Sequence, residues 1–91
     1  MNADELEKHL TQKFGSEHVT RWSIRFGHDE DGDDAVFVAI TLRRGLDPSD
    51  WGGRDALQQR VYEELWRAYP SRLARVSFGA DRRALQPGRL R

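Results

Sequence analysis

Leu6, Leu10 and Phe14 recur every four residues near the start of the chain, which is the spacing of a single apolar stripe on a helix. Asn2 precedes the stripe with Glu5 three residues on, a capping-box arrangement, and Asp4 and Glu5 suit the positive end of the helix dipole. Gly15 stands where a left-handed C-terminal cap is usually glycine. The period then drops to two. In residues 20–26, Trp22, Ile24 and Phe26 alternate with Arg21, Ser23 and Arg25, which predicts a half-buried strand. The stretch from Ala35 to Leu42 carries no charge: Val36, Val38, Ile40 and Leu42 form one face, and Phe37, Ala39 and Thr41 the other. A strand apolar on both faces belongs in the middle of its sheet. Between the two lies the turn-like Gly27 to Asp34, whose Asp31-Gly32 step suits an antiparallel connection.

Residues 43–53 make the longest connection. Asp47-Pro48 resembles a helix start, but Gly52-Gly53 interrupts it, so a short turn is expected before the main helix. That helix is predicted from Arg54 to Tyr69, ended by Pro70, with Leu57, Val61, Leu65 and Ala68 facing the core and Tyr62, Trp66 and Tyr69 flanking them. Trp51 reads first as a loop anchor packed on the core and second as an exposed contact residue. Trp66, off the main stripe, reads equally as an exposed contact or as a residue packing beneath the sheet edge. A third strand, Leu73 to Phe78, turns Ala74, Val76 and Phe78 inward and Arg75 and Ser77 outward. The reading is one α+β domain over residues 1–79, followed by a flexible Arg-rich C-terminal tail over 80–91. Its architecture is an αββαβ two-layer sandwich: a three-stranded mixed sheet with two helices on one face. The second strand, main helix and third strand form a right-handed β-α-β unit. That implies sheet order 1-2-3, with an antiparallel 3-1-2 arrangement as the alternative.

Composition narrows the function classes. With 91 residues the chain has room for one core. A mean hydropathy of −0.81 and the lack of a long apolar run exclude a membrane span. The N-terminus has neither the basic start nor the apolar stretch of a signal peptide, and no cysteine is present, so a cytoplasmic location is expected. The formal net charge is zero, yet it is unevenly spread: residues 1–50 carry a balance of −5 and residues 51–91 one of +5.

Candidate chemistry is sparse. Asp29, Asp31 and Asp33 match the opening of an EF-hand loop, but Asp34 stands where glycine is needed and Ile40 where a bidentate glutamate belongs. The acid run is therefore read as a solvated hairpin tip, and Asp29, Glu30, Asp31, Asp33 and Asp34 as a patch for a basic partner. Arg82 and Arg83 are the matching patch for an acidic one. His9, His18 and His28 lack metal-ligand spacing and read as surface residues. No serine sits in a nucleophile elbow, and Gly52-Gly53 has no phosphate-loop context. The chain is expected to be non-enzymatic, with no metal and no cofactor.

The outer sheet face is the remaining candidate. It gathers Arg21, Arg25, Phe37, Ala39 and Arg75, an apolar strip among arginines. The leading reading is a protein-interaction module, as a homodimer or as an adaptor or antitoxin-like subunit, that buries this strip against a copy or a protein partner. The alternatives are the ordinary polar outer face of an open sheet, and RNA or single-stranded nucleic acid with bases stacked on Phe37 and phosphates on the arginines. In element order alone, residues 1–79 resemble type II KH-like RNA-binding domains and the cytoplasmic dimerisation domain of cation-diffusion transporters. The Gly-x-x-Gly loop of KH domains is absent, because Gly52 and Gly53 are adjacent, so no residue role follows from either resemblance.

Overall fold

Helix α1 (Ala3–Phe14) starts at a reciprocal capping box in the computed structural model, which describes residues 2–15 and 17–81. The Glu5 N–H donates to Asn2 Oδ1 at 2.8 Å, and the Asn2 N–H donates to Glu5 Oε1 at 2.9 Å. Two orphan donors of the first turn are thereby satisfied. At the other end the Gly15 N–H closes on the Thr11 carbonyl at 2.8 Å. Its φ of 76° is positive as expected, but its ψ of −171° is extended, so the chain leaves the helix straight instead of curling into a left-handed cap.

Strands β1 (Val19–His28) and β2 (Asp34–Leu42) pair antiparallel, and β2 pairs parallel with β3 (Leu73–Ala80). The sheet order is β1-β2-β3, so the strand built on the charge-free run 35–42 is central and the 3-1-2 arrangement is excluded. All three strands outrun the residues predicted for them, since ladder bonds continue past the alternating apolar core. β3 reaches Ala80, two residues beyond Phe78. The expected tail therefore gives up Ala80 to the sheet; Arg82 and Arg83 lie outside the described residues.

Helix α2 (Arg54–Ala68) connects β2 to β3. Before it, the loop makes the expected short turn: Asp47 Oδ1 accepts from the Ser49 N–H at 2.9 Å, and the Asp50 and Trp51 N–H groups return to the Asp47 carbonyl. Trp51 packs against the core as an anchor. Gly53 is required there, because a Cβ at that position would lie 2.6 Å from the Trp51 ring.

Three inner rows build the core: Phe26-Val36-Ala74, Ile24-Val38-Val76 and Trp22-Ile40-Phe78. Leu6 and Leu10 from α1 and Val61 and Leu65 from α2 close over them, all essentially without solvent exposure. One expectation for α2 fails. Ala68 is exposed, because the following residue, Tyr69, fills the place with a larger ring set edge-on to Phe26 at 5.3 Å. Of the two readings of Trp66, the exposed one holds: the residue is 71% exposed. The buried face of the helix is turned toward Glu64 instead.

Candidate functional site

Both helices pack on the inner rows, so the opposite side of the sheet is uncovered by any described element. The register arranges that outer face in four rows: Gly27-Ala35-Leu73, Arg25-Phe37-Arg75, Ser23-Ala39-Ser77 and Arg21-Thr41-Gly79. The structure thus brings Arg25, Phe37 and Arg75 into one line, with Ala39 and Arg21 in the rows beyond. Ser23, Arg25, Phe37, Ala39, Arg75 and Ser77 border a shallow groove of about 350 Å³.

Phe37 is half-buried, and the reason is local. The Arg25 guanidinium lies over its ring with Cζ 4.1 Å from the centroid, a cation–π contact. Gly27 makes room for it, since a Cβ there would come within 3.0 Å of Arg25 Nη1. Arg75 turns toward the hairpin tip, with Nη2 3.4 Å from Asp29 Oδ2 and 3.5 Å from Glu30 Oε1. Arg21 and Arg25 have no ion-pair partner among the described residues.

The acidic run forms the tip of the β1–β2 hairpin, as expected. Asp29 builds it: its Oδ1 accepts from the Asp31 N–H at 3.0 Å and the Asp33 N–H at 2.9 Å. Gly32 supplies the positive φ, 84°, that lets its N–H reach the Asp29 carbonyl. The carboxylates of Asp29, Asp31 and Asp33 converge within 4.8 Å of one another. Asp29 is already committed to the turn and to Arg75, so the convergence follows from hairpin geometry. Its carboxyl is held below the ordinary 3.8, first by the hydrogen bond from Asp33, against a burial effect that raises it, and further by the bond from Asp31 and by Arg75. The tip is therefore strengthened by ionised Asp29 above that value and weakens as pH falls through the lowered one. A carboxyl-carbon NMR titration is expected to place the Asp29 midpoint below 3.8; a midpoint at or above it would show that the turn bonds do not form. Asp34, at the strand base, pairs with His28 at 3.2 Å.

A second cluster lies on the helical side, and sequence reasoning missed it. Glu64 is 8% exposed on the buried face of α2. Its carboxylate meets His9 Nε2 at 2.5 Å and Lys13 Nζ at 3.2 Å from α1, and Arg67 at 3.6 Å from its own helix. The signal was present: Glu64 sits three residues after Val61 and beside Leu65, on the apolar stripe itself. His9 is thus an interhelix partner and not a free surface histidine. The His18 side chain stays 42% exposed, with Nε2 3.7 Å from Glu17 Oε1, while its Nδ1 is buried without a hydrogen-bond partner and its ring lies 5.3 Å from that of Trp51. Ser49, the one serine whose hydroxyl meets an acid among the described residues, donates to Asp47 at 2.7 Å within a local turn. No family model, curated protein or solved structure matches this chain, so its outer sheet face must be read from its own chemistry.

Proposed function

We propose that the chain is a non-enzymatic protein-interaction module that docks a protein partner through the outer face of its sheet. The observation that carries this reading is the bare face itself: a half-buried phenylalanine and an exposed alanine at the centre of a sheet whose helices all lie behind it. The small row Ser23-Ala39-Ser77 lowers the face beside Phe37, so a partner side chain can enter the groove and bury both. Arg21 and Arg25 favour acidic groups at the rim of that partner, where charge sets specificity and association rate more than affinity. A second copy stacked on this face would bring the same arginines with it, which favours a different protein over self-stacking.

The charge arrangement weighs against nucleic acid. Arg75 is already balanced by Asp29 and Glu30, an acidic tip adjoins the groove, and one side of the Phe37 ring is taken by Arg25. The test is capture of binding partners by tagged wild-type chain and by Phe37→Asp, each with and without nuclease. A protein partner retained after nuclease and lost with Phe37→Asp is expected, followed by at least a tenfold loss of affinity in titration of the purified pair. Retention of the partner by Phe37→Asp, or recovery of nuclease-sensitive RNA alone, would overturn the proposal.

A further inference from the structure

The sheet has two edges, and only one is guarded. On β1 the register shifts between Val19 and Arg21, and the strand carries Arg21, Arg25 and His28. β3 pairs without a shift, contains no proline and carries a single charge, Arg75. Its outward N–H and C=O groups meet no other backbone among the described residues. Proteins that keep an edge strand single blunt it with bulges, charges or proline, because an open edge templates pairing with another strand.

Beside this edge stand the two large apolar side chains most open to solvent among the described residues, Trp66 at 71% and Leu73 at 46%. Together with Tyr62, Pro70, Arg72 and Ala74 they line a depression of about 280 Å³ at the start of β3, apolar except for Arg72. An open strand edge flanked by an apolar platform calls for a strand that runs along the edge and presses its end on the platform.

We propose that the occupant is β3 of a second copy, paired antiparallel across a two-fold axis. A self-complementary contact of this kind closes both open edges with one interface. Charge and the length of strand paired together select its register. Facing residues of an antiparallel pair lie on the same face of the sheet, so odd positions meet odd and even meet even. An axis at Arg75 would set two guanidinium groups opposite each other, and an axis at Ser77 would set Leu73 against Asp81. An axis at Phe78 would pair Arg75 with Asp81 but leave the start of β3 unpaired, and an axis at Ala74 would leave its end unpaired. An axis at Val76 avoids like charges and pairs residues 73–79 throughout. It sets Arg75 against Ser77 and Leu73 against Gly79 on the outer side, and Ala74 against Phe78 and Val76 against its own copy on the inner side. No like charges meet, and the inner apolar rows run on into the second molecule. Antiparallel pairing also brings the far end of each β3 to the other copy's Leu73 and Trp66. The contact lies at the sheet edge and does not rest on the outer-face reading.

The experiment uses the full chain in size-exclusion chromatography with light scattering. Wild type is expected at twice the 10.6 kDa chain mass, and the exposed-site double variant Trp66→Glu/Leu73→Lys at the monomer mass with unchanged circular dichroism. Because the chain has no cysteine, register can be read by single introductions. Val76→Cys is expected to form a disulfide-linked dimer with oxidised glutathione, and Ser77→Cys to remain largely uncrosslinked. A monomeric wild type overturns the proposal. So does dissociation by Phe37→Asp while the Trp66/Leu73 variant stays dimeric, or crosslinking of Ser77→Cys in preference to Val76→Cys. If the double variant does not fold, the cysteine pair still decides.

Discussion

Ile40→Ala is expected to cost about 2–5 kcal/mol of folding stability, a large share of the roughly 5–15 kcal/mol that holds a domain together. Ile40 is 1% exposed on the central strand, between Trp22 and Phe78 in one inner row. Helices close over that row from the other side, and a strand paired on both edges cannot move sideways to fill a void. The truncation therefore loses the transfer energy of the removed carbons and leaves a cavity as well. Urea unfolding followed by tryptophan fluorescence measures the loss as a lower midpoint with an unchanged slope. Thr41→Val, on the outer face of the same strand, should stay within about 0.5 kcal/mol of wild type. A loss below about 1 kcal/mol for Ile40→Ala would mean that the central row is not closed as described.

Glu64→Ala is expected to cost about 1.5–3 kcal/mol, the usual range for buried hydrogen bonds to a charged group. The carboxylate joins α1 to α2 through His9 and Lys13, and no other ion pair among the described residues does so. The His9 hydrogen bond chiefly lowers the Glu64 pKa below its ordinary 4.5; burial opposes it, and Lys13 adds to the lowering through a hydrogen bond and its charge. A carboxyl with a depressed folded pKa adds stability above its unfolded value and loses it as pH falls through the folded one. Wild type should therefore lose stability on acidification from about pH 4.5 downward. Glu64→Gln, which keeps the shape without the charge, should show a flatter acid limb in thermal melts from pH 7 to 3. An equal acid slope in both proteins would remove Glu64 from the account.

Much of the fold was legible because its elements obey clean periods. The four-residue recurrence of Leu6, Leu10 and Phe14 and the alternation of Trp22, Ile24 and Phe26 each point to one local solution. The charge-free run of β2 correctly placed it at the centre. What escaped depends on packing between elements. Glu64 reads as a polar position until His9 and Lys13 of another helix are brought to it. Ala68 reads as core until Tyr69 takes its place. At the candidate site, alternation correctly assigned Arg25, Phe37 and Arg75 to one face. Only the register sets them in a single row, and only that row shows Arg25 lying on Phe37. The link from Arg75 to Asp29 spans 46 positions and exists because β3 lies parallel to β2, a pairing that no local pattern contains.

The two sides of β2 are joined by very different lengths of chain, and that difference bears on the assembly of the sheet. The hairpin closes over residues 29–33, with Asp29 gathering its own turn, so β1 and β2 can meet within a short search. Pairing of β3 closes the longer connection over residues 43–72, which carries the larger loop-closure entropy. Until then the most apolar strand of the protein is itself an edge, with Val36, Val38, Ile40 and Leu42 only partly covered. A chain in which only the hairpin had formed would expose that apolar strand edge, and docking of α2 and β3 is what covers it.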